Sequence, residues 1–291
     1  MPKESPTLEK IKMHVIAAFV SDETLMALLV LKGGNALNIA YDITNRGSID
    51  IDFSMENDFS PEEKERLKKQ LGTLLNSELN KIELTVFDVK FEERPKKIEA
   101  DVKDFWGGYV VKFKIISREK LERLNSDQDA IRRNAIVVGK ENSTIFQVDI
   151  SKYEYIKGSK KVEIDGSVVN VYSPEMIAIE KLRAICQQNT KYKEVMLMMT
   201  AKARSRDFYD IYVLANHFGI DFSTPENKEL ARVIFDAKKV PLDFILEISD
   251  YKDLHFQEWD SVVQTIDPGV DIKPFEFYFD FVVETFKHTV S

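Results

Sequence analysis

Two aspartates separated by one residue are the first candidates for chemistry in this sequence. Asp50 and Asp52 alternate with apolar residues, and this period of two predicts a strand that places both carboxylates on one face. Neighbouring carboxylates repel each other, and a hard divalent cation such as Mg²⁺ relieves that repulsion. The pair therefore indicates a metal site. The same pattern also arises by chance on edge strands, and some glycosyltransferases use it for a different reaction.

A Gly-Gly pair just upstream offers a place for phosphate groups. Lys32, Gly33, Gly34 and Asn35 follow an apolar run that ends at Leu31. Glycines leave backbone N–H groups accessible, and the N-terminus of the short helix predicted over 35–42 favours an anion. Most Gly-Gly pairs form simple turns. However, the order of apolar strand, Gly-Gly, short helix and acidic strand is specific enough to favour a triphosphate site.

These motifs resemble those of a known enzyme family. LKGGNAL followed by RGSIDIDF is similar to the nucleotidyltransferases of the DNA polymerase β superfamily. More narrowly, it resembles the AbiEii/AbiGii toxins of abortive-infection and type IV toxin–antitoxin systems. Three later segments resemble further motifs of the superfamily: FQVDIS at 146–151, EKLRAI at 180–185 and RSRDFYDIY at 204–212. The resemblance covers 31–212 and departs at Asn35, where the toxin family has Thr.

The resemblance implies a role for each candidate residue. Asp50, Asp52 and Asp149 would hold two Mg²⁺ ions, and Asp149 would help to deprotonate the attacking hydroxyl. Lys181 would bind the phosphates of an NTP, and Asp207 would orient Lys181 or Arg206. The implied catalytic residues are Asp50, Asp52, Asp149, Lys181 and Asp207, and the implied nucleotide-binding residues are Lys32, Gly33, Gly34, Asn35, Ser48, Lys181 and Arg206.

Ordinary structural roles compete with several of these assignments. Asp149 could be an ordinary strand acid, since acids commonly flank strands. Lys181 could be an ordinary solvated lysine, as most helical lysines are. Asp207 fits a first-turn acid that stabilises the helix dipole, with Ser205 as the predicted cap. The spacing of Asp207 and Asp210 places both on one helix face.

The elements that would position these residues predict an α/β (α+β) fold. The pattern divides the chain into an α/β domain over 1–172 and an all-helical C-terminal domain over 173–291, and the resemblance implies that the first is a polymerase-β-like nucleotidyltransferase domain with a mixed sheet. Predicted helices cover 8–20, 35–42, 61–79, 206–218, 225–237 and 273–287, with another that begins at Pro174. Predicted strands cover 48–54, 82–90, 109–116, 144–151 and a hairpin over 161–172 around Asp165-Gly166.

Charge is unevenly distributed along the chain. The net charge is −8, and 221–291 carries all of this excess, with 15 acidic and 7 basic residues. The stretch 181–206 is locally +6, so we expect it to offer a surface for RNA phosphates, although a solvated helix face is the usual explanation. The single cysteine, the polar N-terminus and the lack of a long apolar stretch predict a soluble, cytoplasmic protein without membrane spans.

The sequence thus predicts a Mg²⁺-dependent transfer of NMP from an NTP to an acceptor hydroxyl. The resemblance suggests RNA as the acceptor, such as a tRNA 3′ end, a toxin role and a cognate antitoxin partner. A protein hydroxyl is an alternative acceptor. A catalytically idle nucleotide-binding module and a glycosyltransferase are alternative functions.

Overall fold

The computed structural model describes residues 6–43, 50–125, 127–138, 142–197, 200–267 and 269–290. The described residues form one seven-stranded mixed sheet with helices packed around it. The strands are β1 Val30–Lys32, β2 Ile51–Ser54, β3 Leu84–Arg94, β4 Gly108–Ser117, β5 Phe146–Ser151, β6 Lys160–Ile164 and β7 Ser167–Val171, in the spatial order β3-β4-β5-β2-β1-β7-β6.

The helices alternate with the strands in the first half of the chain and follow one another in the second half. They are α1 Leu8–Val20, α2 Glu23–Leu28, α3 Gly33–Asn35 with a π-helical turn over Ala36–Ala40, α4 Pro61–Leu79, α5 Arg118–Arg123, α6 Gln128–Arg133, α7 Pro174–Cys186, α8 Ser205–Phe218, α9 Pro225–Asp236, α10 Lys252–Phe256, α11 Trp259–Val263 and α12 Phe275–Phe286. The predicted α/β architecture with a mixed sheet is confirmed.

Local sequence signals explain several element boundaries. The Ser60 side chain accepts a bond from the backbone of Glu63 while the Glu63 side chain accepts one from Ser60, which completes the predicted capping box of α4. Ser173 caps α7 in the predicted way. The β6–β7 hairpin turns at Asp165 and Gly166, both with positive φ, as the Asp-Gly pair predicts.

Several boundaries differ from the sequence prediction. The strand predicted over 48–54 begins only at Ile51, so Asp50 lies before it and not on it. The apolar stretch ending at Leu31 is divided between α2 and β1, because uniform hydrophobicity carries no period that separates a buried helix from a buried strand. Ser205 does not cap α8: the cap position is Arg204, and the Ser205 hydroxyl donates to the carbonyl of His255. The hydroxyl is therefore used between elements rather than within its own helix.

Strand pairing creates the frame of the site. β1 runs antiparallel to β2 and parallel to β7, while β2 runs parallel to β5. α1 and α4 pack on each other and cover part of the sheet, and α7 packs against α8 and α9. β7 ends at Val171, and all the regular elements described after it are helices. The predicted boundary at 172 between two domains stays a proposal.

Candidate active site

Two of the predicted carboxylates lie side by side in the sheet. Asp52 of β2 is in register with Asp149 of β5, its parallel neighbour. Adjacent strands lie about 4.8 Å apart, so these side chains start from neighbouring positions. Asp50 lies in a bend directly before β2, because the strand begins only at Ile51. The sheet topology therefore brings together acids that are about one hundred residues apart in the chain.

Burial and mutual repulsion raise the pKa values of Asp50 and Asp52. Burial raises the pKa of Asp52 to about 7, and Asp149, Glu180 and Asp50 add to the rise against the opposing charge of Lys32. Burial and repulsion from Asp149 also raise the pKa of Asp50, while Lys12 and Arg94 oppose that rise. Both aspartates are thus destabilised as anions in the free protein, and a bound cation would remove this cost.

The glycine turn directly faces Asp52. Gly33 has a φ of +70°, and a Cβ at this position would lie 2.7 Å from Oδ2 of Asp52. Asn35, two residues further on, is linked to Asp50, since its buried side-chain amide donates to the backbone carbonyl of Asp50. The Gly-Gly segment and the aspartates predicted to act with it therefore form one compact unit.

Gly33→Ala should impair this unit more than an equivalent change elsewhere. Gly166 has a φ of +78°, and a Cβ added there would meet no atom within 4 Å, so Gly166→Ala carries the backbone cost alone. Each variant should lose roughly 1–2 kcal/mol of unfolding free energy from the left-handed backbone. Displacement of Asp52 should additionally slow nucleotide transfer by Gly33→Ala by roughly 10²-fold. Equal transfer rates in the two variants, measured alongside urea unfolding, would refute this coupling.

Lys32 lies inside the protein rather than at an open phosphate site. Its ammonium is 2.5 Å from Glu180 Oε1 and 3.6 Å from Glu154 Oε1, and it is 8% exposed. Burial alone would lower the pKa of Lys32, but Glu180 and Glu154 outweigh it and raise the pKa. The side chain that sequence analysis assigned to the nucleotide thus links β1 to α7, and a nucleotide contact from it stays a prediction.

Lys181 is held between two aspartates of α8. Its Nζ lies 2.9 Å from Asp207 Oδ1 and 2.7 Å from Asp210 Oδ2. Burial lowers the pKa of Lys181, but the two carboxylates outweigh it, so the net shift is upward. The contact implied between Asp207 and Lys181 is present. Asp210, which was placed on the same helix face but given no role, supplies a second and fully buried partner.

The remaining predicted nucleotide-binding residues are Arg206, Ser48 and Gly34. Arg206 is an exposed residue of α8, and its neighbour Arg204 contacts Asp207 at 3.4 Å. Ser48 lies outside the described residues. Gly34 lies between Gly33 and Asn35 in α3. The nucleotide-binding roles of these residues stay predictions.

Two basic residues that no sequence motif indicates lie beside the carboxylates. The Arg94 guanidinium, at the end of β3, lies 3.4 Å from Asp149 Oδ1, and the Lys12 side chain of α1 is buried near Asp50. Asp149 also accepts a bond of 2.6 Å from Gln147 Nε2. No spacing in the sequence connects Arg94 or Lys12 to the aspartates. The fold alone brings β3 and α1, which carry these two residues, close to Asp149 and Asp50.

The donor set fits Mg²⁺ in its chemistry, although its side chains are not arranged as ligands. Among the described residues, no group of three or more His, Cys, Asp or Glu side chains forms a ready metal site. Asp149 is instead paired with Arg94, and Asp52 faces Gly33. Carboxylate oxygens are nevertheless the ligands that a hard cation prefers, and the pKa values of Asp50 and Asp52 are raised. Binding would require Asp149 to exchange Arg94 for the metal.

A large cavity opens on the Asp149 side of the group. Its volume is about 860 Å³, and its wall includes Asp149, Trp106, Gln187 and Lys238. Lys238 donates to the backbone carbonyls of Phe105 and Lys152, and burial lowers its pKa to about 8 despite the nearby Glu154. The cavity is large enough for a nucleotide-sized ligand.

The basic stretch at 181–206 is only partly available to a polyanion. Lys181 and Arg183 are buried in ion pairs with acids, and Lys191 pairs with Glu247 at 2.7 Å. The local count of +6 therefore overstates the positive charge that this stretch offers to RNA phosphates, because the count ignores carboxylates brought in from other elements. Lys202 and Arg204 instead line a smaller cavity of about 520 Å³.

Two further features bear on the function. Cys186 is buried, and burial raises the pKa of its thiol, so it is a core residue and not a reactive thiolate. In the part of the chain that the structure describes, no helix is both long and apolar enough to cross a membrane.

Comparison with known proteins identifies the class of enzyme. The sequence matches the family model described as "Nucleotidyl transferase AbiEii toxin, Type IV TA system" over residues 14–281, which defines a nucleotidyltransferase. The chain belongs to this AbiEii family, and membership implies an NTP substrate and a cognate antitoxin. The resemblance drawn from the sequence motifs is thereby confirmed.

The other comparisons add little. A solved structure, the crystal structure of an antigenic nucleotidyltransferase-like protein from Paracoccidioides brasiliensis, matches with 14% identity and a TM-score of 0.35. The match covers 79% of this chain and 93% of that one. No curated protein matches the sequence.

Proposed function

We propose that this toxin transfers NMP from an NTP to a hydroxyl group of an RNA, such as a tRNA 3′ end, in a Mg²⁺-dependent reaction. The observation that carries the proposal is the pairing of Asp52 with Asp149, next to Asp50 and against Gly33. Asp50 and Asp52, whose pKa values are raised, and the adjacent Asp149 lie beside a glycine turn and suit a triphosphate and its metal ions.

The reaction exchanges one phosphate ester bond for another. The acceptor oxygen forms a bond to the α-phosphorus of the NTP, the α–β phosphoanhydride bond breaks, and pyrophosphate leaves with the electron pair. Two bound Mg²⁺ ions would supply charge neutralisation for the hydroxyl and the leaving oxygens. Asp50, Asp52 and Asp149 would hold these ions.

The protein's own groups would perform the remaining tasks. Asp149 would accept the proton of the attacking hydroxyl, and the Gln147 amide, 2.6 Å away, holds its carboxylate in place. The backbone at Gly33 and Gly34 would receive the phosphates, with Ser48, Arg206 and Lys181 as further contacts. Asp207 and Asp210 keep the Lys181 ammonium charged and fixed.

Arg94 should compete with metal for Asp149. Its guanidinium contacts one oxygen of that carboxylate and partly offsets the rise in the pKa of Asp50. Arg94→Ala should therefore bind Mn²⁺ several-fold more tightly than the wild type in a calorimetric titration. Arg118→Ala, which removes an arginine paired with Glu83, is the matched control and should leave the affinity unchanged. Weaker binding by Arg94→Ala would mean that Arg94 supports the metal instead.

Labelled nucleotides test the proposed reaction. The protein is incubated with Mg²⁺, total RNA and each NTP in turn, labelled at the α- or the γ-phosphate, and the products are separated into RNA and protein. We expect the α-label in RNA and the γ-label in pyrophosphate. Label on protein alone would favour the alternative acceptor, a protein hydroxyl. Nucleotide binding without pyrophosphate release would favour the idle nucleotide-binding module.

A further inference from the structure

Three cavities adjoin each other on the Asp149 side of the sheet. The central cavity of about 860 Å³ shares Arg94, Ile98 and Gly108 with a second one of about 420 Å³. It shares Trp106 and Gln187 with a third of about 520 Å³. The shared lining residues place the three cavities next to one another, and we call them together the groove. The groove passes Asp149 in its central part, so an extended ligand can pass the proposed site of attack.

The charge of the groove is opposite to that of the whole chain. Ten basic and seven acidic side chains line it, a net of three positive charges in a protein of net charge −8. Lys96 and Lys103 at one end and Lys202 at the other are exposed and form no ion pair with any described residue. Both ends can therefore neutralise phosphate groups.

An aromatic ring lies where the central and third cavities meet. Trp106 is half-buried, and the Lys238 ammonium lies 5.7 Å from its ring centroid. Lys238 is 3% exposed and also binds two backbone carbonyls, so it fixes one side of the ring. Leu197, which is 69% exposed, and Ile98 add apolar surface to the wall. A rigid aromatic surface in a basic groove is the arrangement that binds unpaired bases.

We infer that the groove binds a single-stranded segment of RNA several nucleotides long, with one base stacked on Trp106 and the backbone contacting Lys96, Lys103 and Lys202. The inference rests on the proposed function and names the form in which the RNA acceptor binds. A duplex is disfavoured because its bases are stacked within the helix and cannot reach Trp106. The segment would lead its terminal hydroxyl past Arg94 to Asp149.

Binding is measured without NTP or Mg²⁺, so that it is separated from catalysis. The probes are an unstructured fluorescein-labelled RNA of about twelve nucleotides and a hairpin duplex of the same length, followed by anisotropy at several salt concentrations. We expect the single strand to bind more tightly than the duplex. In a Trp259→Phe background, where Trp106 is the remaining tryptophan, the RNA should quench the fluorescence.

Charge-matched variants test where the RNA lies. Lys96→Ala/Lys103→Ala should weaken binding and reduce the slope of log affinity against log salt by about 1.4. Lys160→Ala/Lys161→Ala removes the same charge from exposed positions of β6, at the far edge of the sheet, and should leave the slope unchanged. Trp106→Ala should weaken binding roughly 5- to 150-fold, and Trp106→Tyr should restore most of it.

The outcomes separate this inference from the proposed reaction. Equal effects of the two lysine pairs, or equal affinity for the duplex, would overturn the groove as a single-strand site. Label transfer onto protein without any RNA binding would overturn the groove but retain the nucleotidyl transfer. Single-strand binding in the groove without label transfer would retain the groove and contradict the RNA acceptor.

Discussion

Asp52→Asn should abolish nucleotide transfer and at the same time stabilise the metal-free protein at alkaline pH. Loss of a metal ligand should lower the turnover by roughly 10²–10³-fold or more. The carboxyl group of Asp52 is buried and its pKa is raised to about 7, so its ionisation at alkaline pH costs folding free energy. The neutral amide of Asn does not ionise and avoids this cost. At pH 8 the gain should be about 1–4 kcal/mol of unfolding free energy.

The pH dependence gives the sign of this effect. An unfolded aspartate titrates near pH 4, whereas folded Asp52 titrates near pH 7. Between these values the folded protein holds one more proton, so the stability of the wild type falls as pH rises through this window. Urea unfolding at pH 5 and pH 8 should show this fall in the wild type and a smaller one in Asp52→Asn.

An exposed acid provides the control for Asp52. Asp280→Asn changes the same functional group on the exposed side of α12 and should leave both turnover and the pH dependence unchanged. Added Mg²⁺ should raise the stability of the wild type at pH 8 but not that of Asp52→Asn. A metal effect of equal size in both proteins would place the cation elsewhere.

Lys181→Ala should destabilise the protein severely as well as inactivate it. The substitution leaves Asp207 and Asp210 buried around a missing cation, and breaking a buried pair in this way costs about 3–5 kcal/mol. From the sequence motif alone, this variant would be expected to lose transfer without unfolding. The structure changes that expectation, because the lysine joins α7 to α8.

Neutralising the whole group separates folding from function. In Lys181→Met/Asp207→Asn/Asp210→Asn the three buried positions carry no unpaired charge, and Arg204, which loses its contact with Asp207, is partly exposed to water. The stability in urea should therefore return to within about 2 kcal/mol of the wild type. Transfer should remain lost if Lys181 also binds phosphate. A stable and active triple variant would show that the lysine is purely structural and would contradict its proposed catalytic role.

Short-range signals in the sequence were sufficient for much of the fold. Ser60 with Glu63, Ser173 with Pro174 and Asp165 with Gly166 fix local backbone geometry through neighbouring groups, and the structure has the elements they predict. The Phe275–Phe286 helix is harder to predict from sequence, because its phenylalanines alternate with a period of two that also suits a strand.

Long-range partners could not be obtained from spacing. Lys32 resembles a phosphate ligand next to two glycines, yet Glu154 and Glu180 from distant segments enclose it. Arg94 belongs to no recognisable sequence motif. Its side chain reaches Asp149 because β3 and β5 are separated in the sheet by one strand only, β4. Such partners depend on topology, and a single sequence without contacts does not contain that information in its local pattern.

The position of the metal tests the central claim most directly. A crystal structure of the protein with Mn²⁺ and an NTP analogue that resists cleavage at the α–β bond would locate the ion by anomalous scattering. We expect Mn²⁺ about 2.1 Å from carboxylate oxygens of Asp52 and Asp149, with Arg94 displaced from Asp149 and the triphosphate at Gly33. Mn²⁺ bound away from both aspartates, or a triphosphate remote from Gly33, would contradict the account.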